Sequence, residues 1–262
     1  MPEAPRDAQP AGPADPDDHA LAGRLATEAG RLLVDLRARL AADGVGGKAL
    51  GKEGDRRAHD LLMAGLATAR PGDAVLSEEG VADPARLAAR RVWIVDPLDG
   101  TREFGEVPRT DWAVHVALVI DGVPAAGAVA LPARDLTLVT DPPPPPPPAW
   151  GGPPRALVSR TRPPAHARRM ADELGWELVP MGSAGAKAMA VVLGEADVYA
   201  HDGGQYEWDS AAPVAVAAAA GLHVSRIDGS PLVYNRPDPY LPDLLVCRPE
   251  LAADVVAFVA RA

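Results

Sequence analysis

Residues 93–104, WIVDPLDGTREF, run an apolar strand straight into two carboxylates, Asp96 and Asp99, with Pro97 between them and Gly100 and Thr101 behind. Hydrophobic chain that ends abruptly in fixed acidic oxygens presents hard ligands to a hard cation such as Mg²⁺. Gly100 lets backbone N–H groups approach an anion closely. Cation ligands, an anion site and the Thr101 hydroxyl in one turn point to metal-assisted phosphoryl chemistry. Asp-Pro and Asp-Gly also make ordinary turns, but the apolar strand before this one argues for more than a turn.

The rest of the chain narrows the setting. It has 262 residues, room for one large domain or two modest ones. No apolar run approaches the roughly 20 residues of a membrane-spanning helix. The net charge of −10 argues against nucleic acid, whose backbone needs a basic face. A phosphorylated small molecule fits once metal ions supply positive charge locally. The single cysteine, Cys247, excludes an internal disulfide framework and fits a reducing cytoplasm. Residues 1–18 are acidic and Pro-rich with no apolar stretch, so they read as a disordered leader and not as a secretory signal.

Along the chain, Leu21, Leu25, Leu32, Leu33, Leu36 and Leu40 recur at helical spacing over 19–42, with Asp17 or Asp18 as the cap. The glycine-rich stretch DGVGGKALGKEGD reads as a loop, and Asp55 opens a second helix that ends before Pro71. A short strand at Val75–Leu76 closes in SEEG, and Val92–Val95 leads into the acidic turn. Residues 112–140 alternate and turn like a β-meander. Seven prolines at 142–148 make a stiff spacer of roughly 22 Å as polyproline II. They read as a loop tip between an N-terminal half, 19–141, and a C-terminal half, 155–262; an SH3-type ligand is the other reading. βα alternation fills the second half, with helices near 163–174, 184–193, 209–220 and 250–261. A meander followed by βα units implies alternating layers of helix and sheet, with both halves forming one catalytic unit.

Carboxylates stand at the ends of four predicted elements: Asp55, Glu78–Glu79, Asp96 with Asp99, and Asp209. Singly each has an ordinary reading as a helix cap or a solvated turn. Together they supply what two or three Mg²⁺ ions need. The scattered histidines include no pair at metal spacing.

DPLDGTREF, with SEEG upstream and EWDSAA downstream, resembles the Mg²⁺-dependent, lithium-sensitive phosphatases of the inositol monophosphatase superfamily. The spacing agrees: Asp55 precedes Glu78 by 23 residues, and Glu78 precedes Asp96 by 18. REF after the turn, VSRTR at 158–162, EWD at 207–209 and GSPLVYN at 229–235 are similar to the CysQ-type 3′(2′),5′-bisphosphate nucleotidases. In one departure, GSAGAK places Lys187 one residue further from Ser183 than is usual in that group.

The resemblance implies an αβαβα sandwich of α+β or α/β class. It implies Glu78, Asp96, Asp99, Asp209 and the Leu98 carbonyl as ligands of two or three Mg²⁺ ions. Asp55 would hydrogen-bond Thr101, while Glu78 and Thr101 would orient an activated water for in-line attack on phosphorus. Gly100 and Thr101 amides would hold the phosphate, with Ser183 and Asp209 lining the substrate site and Arg160 and Lys187 facing a distal phosphate. The implied substrate is 3′-phosphoadenosine 5′-phosphate. An inositol- or fructose-phosphate phosphatase with the same core stays open, as does a non-catalytic phosphometabolite-binding protein. The superfamily also includes homodimers.

Overall fold

The computed structural model describes residues 14–161 and 163–261; the predicted leader, apart from residues 14–18, and Arg162 lie outside the described residues. The chain opens with two long helices, α1 (Pro16–Ala42) and α2 (Gly47–Ala69). Asp15, not Asp17 or Asp18, caps α1: its side chain accepts the Asp17 N–H, and Asp18 at the third helical position accepts the Asp15 N–H in return. Asp18 is buried, paired with Arg70 and Arg91. The stretch read as a glycine-rich loop is mostly the start of α2, so Asp55 sits in that helix's third turn and does not open it.

The first sheet holds β1 (Ala74–Ser77), β2 (Arg91–Asp99), β3 (Ala113–Ile120), β4 (Val123–Leu131) and β5 (Leu136–Val139), in that spatial order. Strand β1 is parallel to β2, and the meander β2–β5 is antiparallel as its alternation predicts. Between β2 and β3 lies the one-turn helix α3 (Thr101–Gly105). The second sheet comprises β6 (Arg155–Ser159), β7 (Glu177–Met181), β8 (Val198–Tyr206), β9 (His223–Ser225) and β10 (Tyr240–Cys247), ordered β7-β6-β8-β10-β9. Helices α4 (Ala165–Leu174), α5 (Ala184–Val192), α6 (Glu207–Ala219) and α7 (Ala252–Val259) complete it.

Three apolar clusters define the layers. Leu25, Leu33 and Leu62 of α1 and α2 pack on Trp93, Val114 and Val116 of the first sheet. Its other face, with Ile94 and Val129, meets Met189 of α5 and Val216 of α6, which also cover Tyr199 and Leu244 of the second sheet. Met170, Val255 and Phe258 of α4 and α7 close the far side over Val198 and Leu245. This is the αβαβα sandwich. Helices α5 and α6 lie between two sheets and are therefore apolar nearly all round. Cys247 is one more buried apolar group on β10. Pro142–Pro148 form no regular element; Pro144 and Pro147, three apart, turn half-inward while their neighbours stay exposed, as three residues per turn dictates. No helix among the described residues is long and apolar enough to cross a membrane.

Candidate active site

Strand β2 runs on through the DPLD segment and delivers Asp96 and Asp99 at its end, where pairing with β3 slips between them. Leu98 N–H donates to Asp96 Oδ1 at 3.0 Å, fixing the turn. Gly100 has φ +86°, and a Cβ there would lie 3.1 Å from both the Asp111 carbonyl and Ser183 Cβ. Only glycine fits that backbone and that space. The chain then enters α3.

Across the middle layer, α6 brings Asp209 to the same place. One oxygen each from Asp96, Asp99 and Asp209 lies within 4.8 Å of the others. Asp209 is held in its helix's first turn by the Tyr206 N–H at 2.7 Å. Pro213 lacks an N–H, so it leaves the Asp209 carbonyl without its usual helical partner. Glu78, solvent-exposed at the end of β1, is in hydrogen-bond contact with Asp96. Thr101 Oγ1 stands 3.2 Å from Asp55 Oδ1 and 3.0 Å from the Leu98 carbonyl, so one proton serves two acceptors.

Electrostatics follow from this crowding. Burial, then the charges of Glu78 and Asp99, push Asp96 well above the usual carboxylate range. Burial, with Asp99 nearby, raises Asp209 to about 7; burial and Glu79 raise Asp55 to about 7 against the Thr101 hydrogen bond. Glu78 also rises to about 7, through desolvation by the surrounding chain and then repulsion from Asp55 and Asp99. Asp99 goes the other way. Burial alone would raise it, but His115 and the Ser183 hydroxyl hold it down at about 2. Ser183 Oγ donates to Asp99 at 2.5 Å, and the Ala184 and Gly185 amides donate at 3.1 and 2.6 Å. Asp99 thus anchors the start of α5 while keeping an oxygen in the carboxylate cluster. Four acids that resist ionising side by side fit a divalent cation, which offsets their repulsion with the oxygen donors Mg²⁺ prefers.

The other predicted substrate residues are engaged within the protein. Arg160 donates to Glu103 at 2.8 Å and to Glu106 at 2.9 Å. Lys187 is buried, its Nζ donating to the Ser183 carbonyl at 2.6 Å. Burial lowers its pKa, an effect Asp99 partly offsets. Lys187 feels the charges of Asp99 and Asp209, and both basic groups already hold a protein acceptor.

His115, which is not among the site residues expected from the sequence, borders the carboxylate cluster through Asp99. It is fully buried, directly across the β2–β3 ladder from Asp96. Its Nδ1 is 3.0 Å from the Trp208 carbonyl and its Nε2 3.3 Å from Asp99 Oδ2, an ion-pair distance without hydrogen-bond alignment. The signal was a single polar residue inside the otherwise apolar strand WAVHVALVI. A cavity of about 650 Å³ lies elsewhere, between α1 and β5, lined by Thr27, Arg31 and Thr137.

The chain matches the family described as "Inositol monophosphatase family" over residues 19–140 and 156–258. It belongs to that family. It is 53% identical over 247 residues to a 3′-phosphoadenosine 5′-phosphate phosphatase of Mycobacterium leprae, covering 90% of each chain. It is 34% identical over 202 residues to the Escherichia coli 3′(2′),5′-bisphosphate nucleotidase CysQ, covering 71% of this chain and 80% of the other. Among solved structures, CysQ from Bacteroides thetaiotaomicron, a bacterial family member, superposes with TM-score 0.76 at 26% identity over 88% of this chain and 97% of that one. The inositol monophosphatase fold thus accounts for all five layers, and the unmatched stretch 141–155 contains the proline run.

Proposed function

We propose that this family member is a Mg²⁺-dependent phosphatase that removes the 3′-phosphate of 3′-phosphoadenosine 5′-phosphate, giving AMP and inorganic phosphate. The observation that carries it is the convergence of Asp96, Asp99 and Asp209 within 4.8 Å, in a chain that is 53% identical to a phosphatase of that substrate. The cation would be held by Glu78, Asp96, Asp99, Asp209 and the Leu98 carbonyl. When bound, Mg²⁺ lowers the pKa of water toward neutrality and offsets phosphate charge.

The chain's own groups do the rest. Asp55 accepts from Thr101 and sets its hydroxyl. Thr101 and Glu78 orient a water for in-line attack on phosphorus, and Glu78 takes its proton. The P–O bond to the ribose breaks, and the departing oxygen leaves as the 3′-hydroxyl after protonation from solvent. Backbone amides at Gly100 and Thr101 hold phosphate oxygens. Ser183 keeps Asp99 in place, and His115 keeps it ionised. Arg160 and Lys187 supply positive charge on the side where a second phosphate would lie. Carboxylates from both halves meet, so neither half acts alone. The reading carries with it inhibition by lithium, a cytoplasmic setting, and a role in clearing the nucleotide by-product of sulfate activation.

Product analysis tests it. Incubation of 3′-phosphoadenosine 5′-phosphate with enzyme and Mg²⁺, followed by ³¹P NMR, is expected to yield AMP and phosphate, abolished by chelator. Adenosine 3′-phosphate as product, or turnover that survives chelation, would overturn it.

A further inference from the structure

Helix α3 carries Thr101 but is a single turn. A helix that short does not hold itself, because nucleation costs more than one turn returns. At its end a single backbone N–H, that of Glu106, is shared between the Arg102 and Glu103 carbonyls. Something outside must fix it.

Arg37 does so from α1, more than sixty residues away in sequence. Its Nε donates to the Phe104 carbonyl at 2.8 Å, Nη2 to the Glu103 carbonyl at 3.2 Å, and Nη1 to the Arg109 carbonyl at 2.7 Å. All three nitrogens of one guanidinium are spent on the end of α3 and the turn that follows. The guanidinium carbon lies 5.4 Å from the Phe104 ring centroid and 5.6 Å from that of Trp112, so the cation also faces two aromatic rings. Those rings meet edge to face at 4.9 Å.

The front of α3 is gripped from α2. A Cβ on Gly51 would stand 2.6 Å from Thr101 Cγ2, so the helices touch backbone to side chain. With α2 against the front and Arg37 on the back, Thr101 has one position relative to Asp55. No apolar residue or lysine would give this clamp: the planar fork reaches three acceptors in fixed directions, whereas an ammonium is a point charge.

We infer that Arg37 is a positioning residue for the reaction, holding α3 so that the Thr101 hydroxyl stays aligned between Asp55 and the substrate phosphate. It touches no reacting atom. This rests on the proposed role of Thr101, and a misplacement of about 1 Å there is worth up to about a hundredfold in rate.

Arg37→Lys keeps the charge and loses the fork. In the full-length enzyme with Mg²⁺, kcat for 3′-phosphoadenosine 5′-phosphate is expected to fall between about ten- and a hundredfold. The Mg²⁺ concentration for half-activation should stay within about twofold, since the carboxylates lie on β1, β2 and α6. Hydrogen exchange is expected to speed up at amides 101–105 and not in the sheets. In Arg37→Ala, added guanidinium should restore part of kcat. A purely structural role would lower the melting temperature but leave kcat per folded molecule and local exchange unchanged. That result, or a folded Arg37→Lys enzyme with kcat within twofold of wild type, overturns the inference. Were the wild type inactive on every phosphate offered, the functional reading would fall, and exchange at 101–105 would still decide whether Arg37 is the clamp.

Discussion

Asp99 serves two structures at once. It contributes an oxygen to the carboxylate cluster and accepts three donors from the start of α5. Asp99→Asn should therefore remove most activity and also cost about 1–3 kcal/mol, because an amide nitrogen would face donors. Urea unfolding beside phosphate release checks both; a folded mutant of normal stability and near-normal turnover would contradict the assignment. His115 acts one step behind. Its imidazole is raised toward protonation because Asp99 outweighs the burial that disfavours charge. His115→Gln should weaken Mg²⁺ activation about 10–100-fold, as is usual for residues that orient a ligand. A titration of initial rate against Mg²⁺ reads it directly.

Local signals explain which elements were legible. Alternation from Trp112 to Thr140 gave the meander, and the abrupt acidic end of an apolar strand gave β2 and its carboxylates. The start of α2 was hidden, because glycines at 47, 51 and 54 read as a loop when each costs up to about 1 kcal/mol in a helix. The helix forms anyway because Gly51 lets α2 touch Thr101, a contact invisible before the fold is known. The clamp of Arg37 on α3 was hidden for the same reason. So was the pairing of Arg160 with Glu103 and Glu106, which join distant elements. The helix cap is a test at this scale. Asp15→Ala removes the acceptor at the head of α1 and should lower stability by about 1 kcal/mol with kcat unchanged, read by thermal melting and assay.

At the scale of the whole molecule, the acid cluster couples folding to pH. Asp55 and Asp209 sit near 7 against an ordinary 3.8, so their protonated forms favour the folded state. That contribution is full below about pH 4 and is lost as pH rises through about 7. Asp99, held at about 2, has the opposite sign, losing its contribution only as pH falls from 3.8 toward 2. Metal-free enzyme should therefore melt lower at pH 8 than at pH 6. Mg²⁺ should raise the melting temperature more at pH 8, where the ligands are ionised and binding favours the folded state. Equal shifts at the two pH values would count against the cluster as the cation site.

The measurement that bears most directly on the account is kcat/KM with Mg²⁺ for 3′-phosphoadenosine 5′-phosphate, inositol 1-phosphate and fructose 1,6-bisphosphate, side by side, in wild type and Asp99→Asn. The account predicts a clear preference for the nucleotide that disappears in the mutant. A preference for either sugar-type phosphate, or full activity in Asp99→Asn, would contradict it.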